Sequence, residues 1–119
     1  MEHRVQIIIG LLESDAGRDF SIEKLSRIVN LSPSRLRHVF KAETGESLTH
    51  YRNALRMQQA KTLIETTFLS IKQIMLKAGI KNKSQFARDF KRTYGLNPVV
   101  YRARHFANTH KAVAKNNTK

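Results

Sequence analysis

Apolar positions recur at three- and four-residue spacing along almost the whole chain, the period of a helix with one buried face. Val5, Ile8, Ile9 and Leu12 form the first set, and Gly17 is expected in a turn after them. Ser21 is a candidate N-cap for a second helix carrying Ile22, Leu25, Ile28 and Val29. Ser32-Pro33 is a cap followed by proline at the first helical position, where a missing N–H costs nothing. That third helix carries Leu36, Val39 and Phe40 and stops at Gly45. Ser47 opens a stretch to about residue 66 without Gly or Pro. Ser70 starts a helix with Ile71, Ile74 and Met75 that halts near Gly79. Asn82 caps the next, with Gln85 three residues on as in a capping box. Gly95 ends it, and Asn97-Pro98 repeats the cap-plus-proline start for a last helix over about 98–105. Residues 107–119 are polar and basic and are expected to form a disordered tail. No segment has the period of a strand, so an all-α fold is expected.

The pattern also repeats. Ser21-Ile22 matches Ser70-Ile71 and Leu31 matches Ile80 at an offset of 49. Ser34, Leu36, Phe40, Lys41 and Gly45 match Ser84, Phe86, Phe90, Lys91 and Gly95 at an offset of 50. One extra residue in the second turn accounts for the change. Each copy runs capped helix, short turn, second capped helix, glycine stop, which is helix-turn-helix order. The turns hold Asn30 and Gly79, residue types that tolerate the left-handed conformation such a turn requires. Between the copies, Leu48, Tyr51 and Leu55 lie on one stripe, and Met57, Ala60, Leu63 and Ile64 on another rotated around the helix. Two stripes in succession predict that the first half docks on copy one and the second half on copy two. A continuous helix over 47–66 reaches about 30 Å, close to the roughly 34 Å of one turn of B-DNA.

Charge changes the picture next. Lys and Arg number 22 against 9 Asp and Glu, a formal net charge of +13 on 119 residues. A polyanion partner fits such a balance, because neutralising phosphates releases condensed counterions. Charge alone also fits ribosomal, chaperone-like or membrane-surface proteins. With no Cys, disulfides, thiolate metal sites and a cysteine nucleophile are excluded. The five histidines show no local metal spacing, and neither a nucleophile elbow nor a glycine-rich phosphate loop is present. The chain reads as a non-enzyme with no cofactor and no metal. The apolar run from Ile7 to Leu12 is too short to cross a bilayer. The basic Met1–Arg4 start carries no small-residue cleavage site, so a cytoplasmic, nucleoid-associated location is expected.

The stretch Phe86-Ala87-Arg88-Asp89-Phe90-Lys91-Arg92-Thr93-Tyr94-Gly95-Leu96-Asn97-Pro98-Val99-Val100-Tyr101-Arg102 resembles the DNA-binding domain of AraC/XylS-family transcriptional regulators. Arg56, Ala60, Leu63 and Ile64 resemble that family's linker helix, and Leu36, Phe40 and Thr44-Gly45 its first unit. The likeness spans about residues 20–104. It departs at Ile80, where the family usually has phenylalanine, and at Asp89, where a small or apolar residue is common. The resemblance implies seven helices in a region of 1–106. These are a first helix-turn-helix at about 21–45, a linker helix at 47–66, a second helix-turn-helix at 70–95, and a final helix. It implies a sequence-specific regulator of double-stranded DNA, with recognition helices at about 33–43 and 83–93 entering successive major-groove segments. RNA polymerase is a candidate second partner. Because Met1 stands almost at the domain, two readings stay open. One is a small single-domain member binding DNA as a monomer, and the other is a trimmed piece of a longer dimeric regulator.

Within that frame Leu36 with Phe40, and Phe86 with Phe90, face inward at i and i+4. The residues left to face a groove are Ser34, Arg37 and His38 in one copy, and Lys83, Ser84, Gln85 and Arg88 in the other. Arg88 is the leading base reader, since its fork matches guanine O6 and N7. Arg35, Lys41, Lys91 and Arg92 read as phosphate contacts, which hold register without carrying sequence information. The plain alternative for all of these is a solvated charged face. The rival function is a basic helical RNA-binding or protein-interaction module. With Phe40, Phe86 and Phe90 assigned to the core, few aromatics remain to stack on unpaired bases.

Overall fold

The computed structural model describes residues 1–14 and 19–117, with side chains through residue 109. Gly17, expected in a turn, lies outside the described residues. Among those residues the fold is all-α, with seven helices and no strand: α1 His3–Glu13, α2 Ile22–Ile28, α3 Pro33–Thr44, α4 Leu48–Thr66, α5 Ile71–Ala78, α6 Lys83–Tyr94 and α7 Pro98–Asn117. The chain divides into two compact units, Met1–Arg56 and Met57–Lys119, with the boundary inside α4.

Each unit has its own core. In the first, Val5, Ile8 and Leu12 of α1 bury with Leu25, Val29, Leu36, Val39, Phe40 and Leu48, flanked by Tyr51 and Leu55. In the second, Ala60 and Ile64 of α4 bury with Ile74, Met75, Ala78, Phe86 and Phe90, flanked by Met57, Leu63, Tyr94 and Tyr101. The two stripes of α4 therefore go to different cores, as their rotation along the helix predicts. Val5, Ile8 and Leu12 stand 52 residues before Met57, Ala60 and Ile64. Thus α1 supplies to the first core what the second half of α4 supplies to the second.

Local satisfaction of the backbone repeats bond for bond. Ser21 Oγ accepts from the Lys24 N–H and Ser70 Oγ from the Gln73 N–H, each at 3.1 Å. The inter-helix turns put Asn30 at φ 58° and Gly79 at φ 74°. Leu31 N–H then donates to Ser26 C=O at 2.9 Å, and Ile80 N–H to Met75 C=O at 2.8 Å. These are the wide bonds that close a helix C-terminus through a left-handed residue. Gly45 and Gly95, at φ 81° and 88°, return N–H donors to Lys41 and Lys91 C=O at 2.8 Å. Ser47 and Asn97 cap the following helices through the N–H groups of His50 and Val100.

Two expectations need correction. The reciprocal capping box closes at Ser70 and Gln73 rather than at Asn82 and Gln85. Asn82 Oδ1 does accept from the Gln85 N–H at 2.9 Å, but the Gln85 side chain turns outward to Asp89 and Arg88. The last helix also continues to Asn117, past its expected end near residue 105 and through much of the expected disordered tail. Residues 99–117 hold no Gly or Pro, and Ala107, Ala112 and Ala114 are strong helix formers.

Candidate nucleic-acid interface

The third and sixth helices are built alike. Ser32 Oγ caps α3 through the Arg35 N–H at 3.1 Å, and Pro33 occupies the first turn. Leu36 and Phe40 are fully buried on its inner side, as are Phe86 and Phe90 of α6 to within 2%. Phe40 meets Tyr51 edge-on at 5.3 Å between ring centroids, and Phe90 meets Tyr101 edge-on at the same distance. Each helix is therefore anchored by an i, i+4 pair pressed against a tyrosine from the helix that follows it.

Beside each tyrosine sits an arginine clasp. A guanidinium N–H of Arg52 donates to the Phe20 carbonyl, and one of Arg102 donates to the Leu69 carbonyl at 2.5 Å. Phe20 and Leu69 each precede the N-cap serine of their unit's first helix. Arg102 Nε also donates to Ile64 C=O at 3.3 Å. The clasp ties the helix after the recognition helix to the start of the helix before it, closing the unit. The correspondence of Tyr51-Arg52 with Tyr101-Arg102 went unread in the sequence, although its offset of 50 continues that of the preceding block.

Anchoring one side exposes the other. All of Ser34, Arg35, Arg37, His38 and Lys41 on α3 are exposed, as are Lys83, Ser84, Gln85, Arg88, Lys91 and Arg92 on α6. Arg37, His38 and Lys41 are brought together with Ala42 around one open hollow. On α6 the polar side chains form a chain of contacts. Arg88 donates to Gln85 Oε1 at 3.0 Å, Gln85 Nε2 donates to Asp89 Oδ1 at 2.9 Å, and Arg92 donates to the same Oδ1 at 2.6 Å. Asp89 entered the sequence reading only as a departure from the family. Its i and i+3 or i+4 spacing from Gln85 and Arg92 was the available signal.

The second unit also holds a titratable group of its own. Tyr101 Oη donates to Glu65 Oε2 at 2.5 Å, and Lys61 Nζ lies 3.0 Å from the same oxygen. The hydrogen bond from Tyr101, helped by Lys61 and His105 and opposed by burial, holds the Glu65 carboxyl below its ordinary value. Among the described residues no three His, Cys, Asp or Glu side chains gather as a metal site. Nor is any described helix long and apolar enough to cross a membrane.

A family profile described as a helix-turn-helix domain matches residues 25–104, about two thirds of the chain. The arabinose operon regulatory protein of Escherichia coli K12 is 36% identical over 88 residues, covering 74% of this chain and 30% of that protein. The chain belongs to the AraC family of helix-turn-helix DNA-binding domains. Among solved AraC-like folds, the C-terminal domain of the two-component response regulator yesN from Fusobacterium nucleatum superposes with a TM-score of 0.72. It is 29% identical, over 85% of this chain and 99% of that one. The DNA-binding domain of AdpA, a global transcriptional factor solved in complex with a target DNA, superposes with a TM-score of 0.79 at 21% identity. That match covers 90% of this chain and 96% of that one and speaks to the fold. The chain spans about a third of the length of the arabinose operon regulatory protein and of the transcriptional activator RhaR that it matches.

Proposed function

We propose that this chain is a sequence-specific double-stranded DNA-binding transcriptional regulator whose recognition helices, α3 and α6, each enter the major groove. The observation that carries this reading is the matched pair of exposed basic helices, each set on a buried i, i+4 pair inside a helix-turn-helix unit of an AraC-family domain. On α3, Ser34, Arg37 and His38 read base edges while Arg35 and Lys41 hold phosphates. On α6, Lys83, Ser84, Gln85 and Arg88 read bases while Lys91 and Arg92 hold phosphates. One chain carries two recognition helices, so a monomer can read both halves of a site. Similarity to named regulators, one of them solved on a target DNA, supports the same reading.

Titration of duplex DNA, single strands and RNA at several salt concentrations tests it. Duplex binding should dominate, and log affinity should fall against log salt with a slope reflecting roughly 6–10 phosphate contacts. Preference for single strands or RNA, or a nearly flat slope, would defeat the reading and favour the RNA or protein-interaction alternative.

A further inference from the structure

We propose that Asp89 is a positioning residue that sets the Gln85 side-chain amide to read adenine, next to the base read by Arg88. The inference rests on the assignment of α6 to the major groove. An amide can be turned either way, but here chemistry dictates the direction. A carboxylate can only accept, so the group facing Asp89 Oδ1 at 2.9 Å must be Gln85 Nε2. A guanidinium can only donate, so the group facing Arg88 at 3.0 Å must be Gln85 Oε1. Both neighbours demand the same orientation.

Asp89 is the better placed of the two to keep it. Its side chain is only 27% exposed, and Arg92 holds its carboxylate at 2.6 Å. When Arg88 turns its fork to a guanine it can release Gln85, whereas Asp89 stays held by Arg92 on the same helix. The amide then retains one Nε2–H and lone-pair capacity on Oε1, side by side. That donor–acceptor pair matches adenine N7 and the N6 amino group. Gln85 and Arg88 stand three residues apart on one helix face, so the bases they meet are neighbours in the groove. The carboxylate near phosphates carries an electrostatic cost, and Arg92 offsets it locally.

The test uses the full chain and a duplex selected from a random library. Variants are Asp89→Ala, Gln85→Ala and the double, and the probe is 7-deaza-adenine, which removes the N7 acceptor, in the α6 half-site. For the unaltered protein, 7-deaza substitution or an exchanged base pair should weaken binding roughly 5- to 150-fold at one position. Asp89→Ala should shrink that penalty to within about threefold, and adding it to Gln85→Ala should leave the adenine penalty of that variant unchanged. Thermal melts should differ little between the variants, since Gln85 is exposed and Asp89 is half-buried with its contacts confined to α6 side chains. If Asp89→Ala tightens every duplex alike and leaves the adenine penalty intact, Asp89 acts only through its charge and the inference is overturned. A selected half-site with no required adenine overturns it as well. If none of the variants changes binding to any duplex, this inference falls together with the assignment of α6.

Discussion

The two units share their scaffold and differ on their exposed faces. Serine caps at Ser21 and Ser70, left-handed turns at Asn30 and Gly79, glycine stops at Gly45 and Gly95, and arginine clasps at Arg52 and Arg102 fall at matching places and share their main bonds. The exposed residues proposed as base readers do not. On α3 they are Ser34, Arg37 and His38, the last two beside an open hollow, while on α6 they are Lys83, Ser84, Gln85 and Arg88, the last two in a chain of contacts with Asp89 and Arg92. Backbone groups must be satisfied in the same way wherever the same turn is made. Exposed side chains answer only to the ligand. The difference between the halves therefore shows where a bipartite site would be read differently.

The cores differ too, and the largest predicted effect follows from that. Phe90 contacts Phe86, Tyr94 and Tyr101 at ring centroids of 5.7, 4.7 and 5.3 Å. Phe40 has Tyr51 as its ring partner, with Leu36 where the second unit has Phe86. Truncating a buried Phe costs about 3–5 kcal/mol, and ring–ring contacts add to area burial. Phe90→Ala should therefore fall near the top of that range and Phe40→Ala near the bottom. Denaturant melts measure both, and the reverse order would break the comparison of the two cores.

The clasps come next. A hydrogen bond from a charged group contributes about 1.5–3 kcal/mol. Arg102→Ala and Arg52→Ala should each lose stability in that range. Each should also weaken binding to its own half of the site more than to the other. Equal losses on both half-sites would mean that the clasps support folding and do not align recognition.

A smaller effect separates the units by pH. Glu65 has a lowered carboxyl pKa through Tyr101 and then Lys61. Its contribution is present above the ordinary carboxylate value near 4.5 and is lost as pH falls through the lowered folded value. In the first unit, Glu13 occupies the equivalent place 52 residues earlier. There the Tyr51 hydroxyl is held up by burial first and by the charges of Glu13 and Glu46 after it. Glu65→Gln should cost on the order of 1 kcal/mol at pH 7, and its gap from the unaltered protein should narrow as pH falls below the ordinary carboxylate value and through the lowered folded one. Melts across that interval measure it. A gap that persists at low pH would assign the effect to packing.

Much of this was legible in the sequence because periodicity and punctuation are local. The α4 stripes follow from residue spacing alone, and the Asn30 and Gly79 turns from the rarity of residues that accept positive φ. What was missed depends on competition or distance. Ser70-x-x-Gln73 and Asn82-x-x-Gln85 have the same pattern, and only the presence of Asp89 and Arg88 decides that the second box stays open. The clasps join residues 32 and 33 apart, beyond the reach of any helical period. The end of α7 had no stop residue to announce it.

In the proposed function, two units of one chain read two different half-sites through α3 and α6. Selection of bound duplexes from a random library, run in parallel with the unaltered protein, Arg37→Ala, Arg88→Ala and Lys91→Ala, tests it most directly. A bipartite consensus is expected. Arg88→Ala should relax one base in one half at a cost of about 1–3 kcal/mol, and Arg37→Ala one base in the other half. Lys91→Ala should weaken cognate and random duplexes alike without altering the consensus. A single undivided motif, or arginine variants that weaken all duplexes equally and leave the consensus unchanged, would contradict it.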